Sequence, residues 1–120
     1  RDLVIEEMQR AWQAGESTAG WQLDRLARDH IDQAGYGQAF VHRTGHSLSP
    51  GPAIHGMGVN LDDLESRDTR LLLPHTRFTI EPGIYLPDDF GVRLEVDVYV
   101  DPKAGPIVTT PLQDEIVRLT

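Results

Sequence analysis

Apolar residues recur at helical spacing from Leu3 to Ala14, where Val4, Met8, Ala11 and Trp12 share one stripe and Gly15 follows where such a helix would stop. A cleaner stripe runs through Leu23, Leu26, Ala27, Ile31 and Ala34, with Ser17 and Thr18 as N-cap candidates and Gly35 as the stop. Two helices are predicted, the second turning Asp24, Arg25, Arg28 and Asp29 to solvent. Beyond Gly37 the pattern dissolves. Gly, Pro, Ser and His crowd positions 42–58 and neither helical nor strand period survives, which predicts a long irregular loop. Such a loop is uncommon in a compact domain unless it serves a function.

From Arg77 the period becomes two. Arg77–Glu81 alternates, Pro82-Gly83 interrupts, and Ile84-Tyr85-Leu86 resumes before the Pro87-Asp88-Asp89 turn. Val92 to Val100 reads as one strand, with Val92, Leu94, Val96, Val98 and Val100 on one face and Arg93, Glu95, Asp97 and Tyr99 on the other. Pro106 to Thr120 gives one or two closing strands. No internal repeat or linker divides the chain.

A length of 120 residues with 39% hydrophobic composition supports one domain with a modest core. The net charge of −8 repels nucleic-acid phosphates and anionic membrane surfaces and makes cations the natural ligands. Without cysteine, a metal can be held only by carboxylates, imidazoles, carbonyls and water, and the reducing cytoplasm is the default compartment. No apolar run approaches the roughly 18 to 20 residues that cross a bilayer. The amino terminus, Arg1-Asp2-Leu3, has neither an initiator Met nor a signal-peptide pattern and reads as an interior cut.

Three features carry candidate chemistry. His42 and His46 flank Gly45 in the irregular stretch, as metal-binding imidazoles or as ordinary loop histidines. Glu81 ends a strand at Pro82-Gly83, and its plainer role is a solvated strand end. Arg93, Glu95 and Asp97 share one strand face, which in a half-covered sheet would simply meet water. The combination favours a site. A short turn between the two strands lets antiparallel pairing bring Glu81 and Glu95 side by side, which is unfavourable unless a cation lies between them. With His46 added, the donors suit Mn, Co, Fe or Zn, and Arg93 is placed to orient a neighbouring carboxylate.

His42-Arg43-Thr44-Gly45-His46-Ser47, His55-Gly56-Met57-Gly58-Val59-Asn60, Thr79-Ile80-Glu81-Pro82-Gly83-Ile84-Tyr85 and Val92-Arg93-Leu94-Glu95 resemble, in this order, the signature segments of the pita-bread metallopeptidases. The similarity is greatest to the Xaa-Pro dipeptidase (prolidase) and aminopeptidase P branch, and it covers essentially the whole chain, including Ala34-Gly35-Tyr36-Gly37 and a closing strand near Glu115 to Leu119. The resemblance implies an α+β fold, with helices packed on a curved antiparallel sheet. It implies His46 and Glu81 as ligands of one divalent ion and Glu95 as a bridge between two, with Mn, Co or Zn as candidates. It further implies His42 and His55 as substrate-contacting histidines, Glu81 as the proton shuttle, and Arg93 as support for the bridging carboxylates. The implied substrate is a proline-containing peptide, with no nucleic acid or membrane partner.

The pattern departs from the family in three places. The 47–54 loop is slightly longer than usual, Ser47 stands where Gly is more frequent, and two further metal-binding aspartates on a preceding strand pair are absent. Asp24, Asp29 and Asp32 lie on the predicted helix and cannot replace them. The resemblance therefore makes residues 1–120 the C-terminal part of a catalytic domain, inactive alone, whose uncovered sheet edge favours a homodimer. The rival reading is a non-catalytic binding or scaffold module of the same fold. Methionine aminopeptidases look different around Glu81 and Glu95, and creatine-cleaving relatives lack the metal set that His46, Glu81 and Glu95 supply here. His30 and His75 are expected to be solvated.

Overall fold

The computed structural model describes residues 1–119, and the two amphipathic patterns form α1 (Asp2–Gln13) and α2 (Gly20–Gln33) within it. The start of α2 differs from expectation. Its N-cap is Ala19, not Ser17 or Thr18, because residues 18–20 pair with 70–72: Leu72 N–H donates to Thr18 O at 2.9 Å and Gly20 N–H to Arg70 O at 3.1 Å. The Gln22 side chain takes the Ala19 N–H at 2.8 Å, so a tertiary contact and one amide replace the usual hydroxyl cap. Asp24 is a second correction. It is fully buried beside Arg28 in place of facing solvent, because backbone groups of the following loop satisfy its charge.

Five strands follow: β1 (Arg77–Ile80), β2 (Gly83–Tyr85), β3 (Gly91–Arg93), β4 (Val96–Asp101) and β5 (Gly105–Val108). β1 pairs with β4 and β4 with β5, all antiparallel, while β2 and β3 form a separate ribbon. The expected single strand from Val92 to Val100 is thus two strands. The break lies opposite Pro82, which has no N–H to offer a ladder, although Leu94 N–H still reaches Pro82 O at 3.3 Å. Ile80 pairs with Val96 and Gly83 with Arg93 in one unbroken register, so Glu81 falls opposite Glu95 at the break.

The break also splits the expected apolar face. Val96, Val98 and Val100 are buried, but Val92 and Leu94 are exposed because the ribbon has left the core. Val4 and Met8 of α1, Leu23 and Ala27 of α2, and Phe78, Ile80, Val96, Val98 and Val100 form one cluster with Phe40, Val59 and Leu61. After β5, Thr109 N–H makes one more bond, to Asp97 O, and residues 109–119 form no further strand. The closing strand expected near Glu115 to Leu119 is absent there: Pro111 cannot donate, and Ile116, Val117 and Leu119 are exposed. Thr120, the end of the expected Pro106–Thr120 strand region, lies outside the described residues. Among the described residues no helix is long and apolar enough to cross a membrane.

The 42–58 stretch is less irregular than its composition suggests. Glu81 N–H donates to Thr44 O at 2.7 Å, Thr79 N–H to His46 O at 2.9 Å, and Leu48 N–H to Arg77 O at 2.9 Å. Residues 44–48 therefore run antiparallel along the outer edge of β1 and cover it.

Candidate active site

This edge pairing sets His46 beside Thr79. It requires a glycine at position 45, where an added Cβ would stand 1.9 Å from the Thr79 carbonyl oxygen. The opposite side of Gly45 exchanges two backbone hydrogen bonds with Leu61, of 3.2 and 3.0 Å. Residues 48–55 then close a small hairpin through Pro50, Gly51 and Pro52, with Ser49 N–H on Ile54 O at 3.1 Å and Leu48 bridged to His55. That hairpin delivers the His55 ring to 4.1 Å from the His46 ring, edge to face.

His46 Nδ1 donates to the Ser47 carbonyl at 3.0 Å, which leaves Nε2 as the lone-pair nitrogen of the neutral ring. Nε2 lies 3.3 Å from Glu81 Oε1. Thr79 Oγ1 joins the same two residues, accepting from His46 N–H at 2.9 Å and donating to Glu81 Oε1 at 2.8 Å. The second Glu81 oxygen lies 3.8 Å from Arg93 Nη1, and Arg93 Nη2 is 3.2 Å from Glu95 Oε2. Burial alone would lower the Arg93 pKa, but the Glu95 and Glu81 carboxylates hold it above its ordinary value.

His42 is arranged in parallel with His46. Its Nδ1 donates to the Arg43 carbonyl at 2.7 Å, and its Nε2 accepts the Tyr85 hydroxyl at 2.9 Å in the neutral ring. Phe40 and Tyr85 meet its ring edge to face, each at 5.3 Å. His30 and His75 stand apart and exposed, with His75 Nδ1 3.1 Å from the Tyr99 hydroxyl.

The structure thus brings His46 to both Glu81 and His55 and sets Arg93 between Glu81 and Glu95, while His42 sits one step away against Tyr85. An imidazole nitrogen and a carboxylate oxygen held this close are donor types that a divalent ion accepts together, so His46 and Glu81 could serve as two of its ligands. The Nδ1–H bond to a backbone carbonyl is the usual outer support of a ligating imidazole. Among the described residues, however, no three His, Cys, Asp or Glu side chains converge as a ligand set, because Glu95 is turned to Arg93.

Sequence reasoning missed Thr79 and Tyr85. Thr79 lies two residues before Glu81 on the same strand face, so the period of two contains that signal; the Tyr85 contact with His42 depends on the ribbon bringing two distant segments together.

Residues 2–102 match the model of metallopeptidase family M24. An uncharacterized peptidase of Bacillus subtilis is 37% identical over 98 residues, covering 82% of this chain and 26% of its own length. The crystal structure of a prolidase from Thermococcus sibiricus superposes with a TM-score of 0.71 at 34% identity, covering 97% of this chain and 30% of that one. That of an X-Pro aminopeptidase from Thermotoga maritima gives 0.67 at 33%, covering 93% and 31%. The helices and antiparallel sheet therefore match part of the pita-bread fold of these proteins, and the chain spans less than a third of their length. With the four motif segments, the fold and the family match all in accord, the chain belongs to metallopeptidase family M24.

Proposed function

We propose that this chain is the C-terminal part of the catalytic domain of a metal-dependent peptidase that hydrolyses Xaa-Pro bonds, inactive by itself. The observation that carries the reading is the approach of His46 Nε2 to Glu81 Oε1 at 3.3 Å. The relatives' names, prolidase and X-Pro aminopeptidase, support the substrate class.

In this reading His46, Glu81 and Glu95 are the chain's donors to two divalent ions, Mn, Co or Zn, completed by aspartates from outside residues 1–120. The ions, when bound, supply charge stabilisation at the scissile carbonyl and activation of water. Glu81 accepts a proton from the attacking water and returns it to the leaving nitrogen. Arg93, between Glu81 and Glu95, keeps two like charges at workable separation. His55 beside His46 contacts the peptide and hydrogen-bonds the oxygen on which charge develops, and His42, whose Nε2 takes the Tyr85 hydroxyl, lines the substrate side with it.

The absence of cysteine fits a reducing cytoplasm. The exposed Phe90, Val92 and Leu94 support a homodimer or a covering segment of the same domain. The test is hydrolysis of Xaa-Pro and Xaa-Ala dipeptides by the whole protein with Mn, Co or Zn, before and after chelation. Metal-dependent, proline-selective cleavage is expected; equal cleavage of both peptides overturns the substrate class. The second reading, a non-catalytic binding module, draws on the incomplete ligand set. Its test is absence of cleavage by the whole protein at any metal loading.

A further inference from the structure

A buried ion pair on α2 grips the histidine segment from behind. Asp24, fully inaccessible, takes Arg28 on both oxygens, with Nε 3.1 Å from Oδ2 and Nη2 3.1 Å from Oδ1. Asp24 Oδ1 also accepts the Thr44 N–H at 2.8 Å and the Thr44 hydroxyl at 2.7 Å, while Oδ2 accepts the Asp63 N–H at 2.9 Å. Arg28 donates onward to the carbonyls of Phe40 at 3.0 Å and His42 at 2.9 Å, its guanidinium 4.3 Å over the Phe40 ring. Two side chains one helical turn apart thus hold the backbone at 40, 42, 44 and 63. Thr44 is also the residue whose carbonyl receives Glu81 N–H.

A buried ion pair is a weak source of stability, and apolar side chains at 24 and 28 would tie α2 to the core as well. What apolar side chains cannot do is fix a backbone register. The planar guanidinium reaches a carboxylate and two carbonyls at once, a geometry that lysine lacks. Resting on the reading of His42 and His46 as substrate and metal residues, we propose that Asp24 and Arg28 are positioning residues. They set the 40–44 backbone so that His42 Nε2 meets Tyr85 and His46 Nε2 meets Glu81.

The test is nuclear magnetic resonance of the 120-residue chain and its Asp24→Asn, Arg28→Lys and Thr44→Val variants. It reads amide exchange at Thr44, Asp63 and Val98, and the imidazole nitrogens of His42 and His46. In Asp24→Asn, protection at Thr44 and Asp63 falls roughly ten- to hundredfold relative to Val98, the loss expected of hydrogen bonds to a buried charge. The His42 ring shifts from a single tautomer to a mixture. Arg28→Lys moves the same signals less. Thr44→Val, which removes the hydroxyl bond but spares the carboxylate, leaves the His42 tautomer unchanged. Imidazole signals that stay unchanged in Asp24→Asn overturn the proposal, as does equal loss of protection at Val98 in both Asp24→Asn and Arg28→Lys, which is global destabilisation. None of these signals requires metal or hydrolysis, so failure of the peptidase reading shows separately in the dipeptide assay.

Discussion

His46 Nε2 stands 3.3 Å from Glu81 Oε1, and in the neutral ring no proton lies between them, because the imidazole proton is on Nδ1 against the Ser47 carbonyl. In that ring state the two groups are both acceptors, and a cation would be needed to join them.

Removing either partner is therefore expected to remove metal affinity. In the whole protein, His46→Ala and Glu81→Gln are expected to abolish metal-dependent hydrolysis, and Glu95→Gln to be at least as damaging because Glu95 is assigned to both ions. His30→Ala and His75→Ala retain nearly full activity. Calorimetric titration of Mn, Co and Zn beside the dipeptide assay checks the set, and full activity in His46→Ala would sink the ligand assignment.

Thr79→Val keeps the shape of the strand but deletes the hydroxyl that links His46 N–H to Glu81 Oε1. Metal affinity in the whole protein falls about ten- to hundredfold, the usual cost of losing an outer hydrogen bond to a ligand. Unchanged affinity by calorimetry would show that Glu81 is held without it.

Gly45→Ala puts a methyl group into the Thr79 carbonyl oxygen, so the 44–48 segment must lift from β1. The expected loss is about 2 to 4 kcal/mol of folding free energy in urea, the range of buried steric damage. Gly15→Ala is the control: its added methyl has open space, and only the positive φ of 68° opposes it.

Asp68 supplies a pH signature away from the site. The Arg70 guanidinium, with the Asn60 and Arg70 amides, holds its carboxyl down to about 2 against burial. A depressed native pKa gives stability that is complete above the unfolded value near 3.8 and is lost as pH falls through about 2. Asp68→Asn is expected to cost about 2 kcal/mol at neutral pH. The gap from the parent chain closes between pH 4 and 2 in denaturant titrations; a constant gap would refute the pairing.

The helices, the Arg77 strand and the opposition of Glu81 to Glu95 were legible in the sequence, because periodicity and a short turn are local signals. The break at Leu94-Glu95 was not, since alternation runs straight through it and only the missing N–H of Pro82 on the partner strand interrupts the ladder. Asp24 was misjudged for a related reason. A charged pair four residues apart on a helix is usually solvated, and here the loop backbone that replaces water comes from 20 and 39 residues away. The 42–58 loop showed its importance by its length and its histidines, but its role as an extra edge strand depends on β1.

The shared register across the break also bears on how the molecule assembles. Glu81 and Glu95 belong to one hairpin with a short turn, so closing it costs little chain entropy and can occur early. The histidine segment depends on α2, Asp63 and β1 together, contacts of long sequence separation that are slow to form. The carboxylate side of the site is a product of local folding, and the imidazole side is completed only when the tertiary structure closes around it.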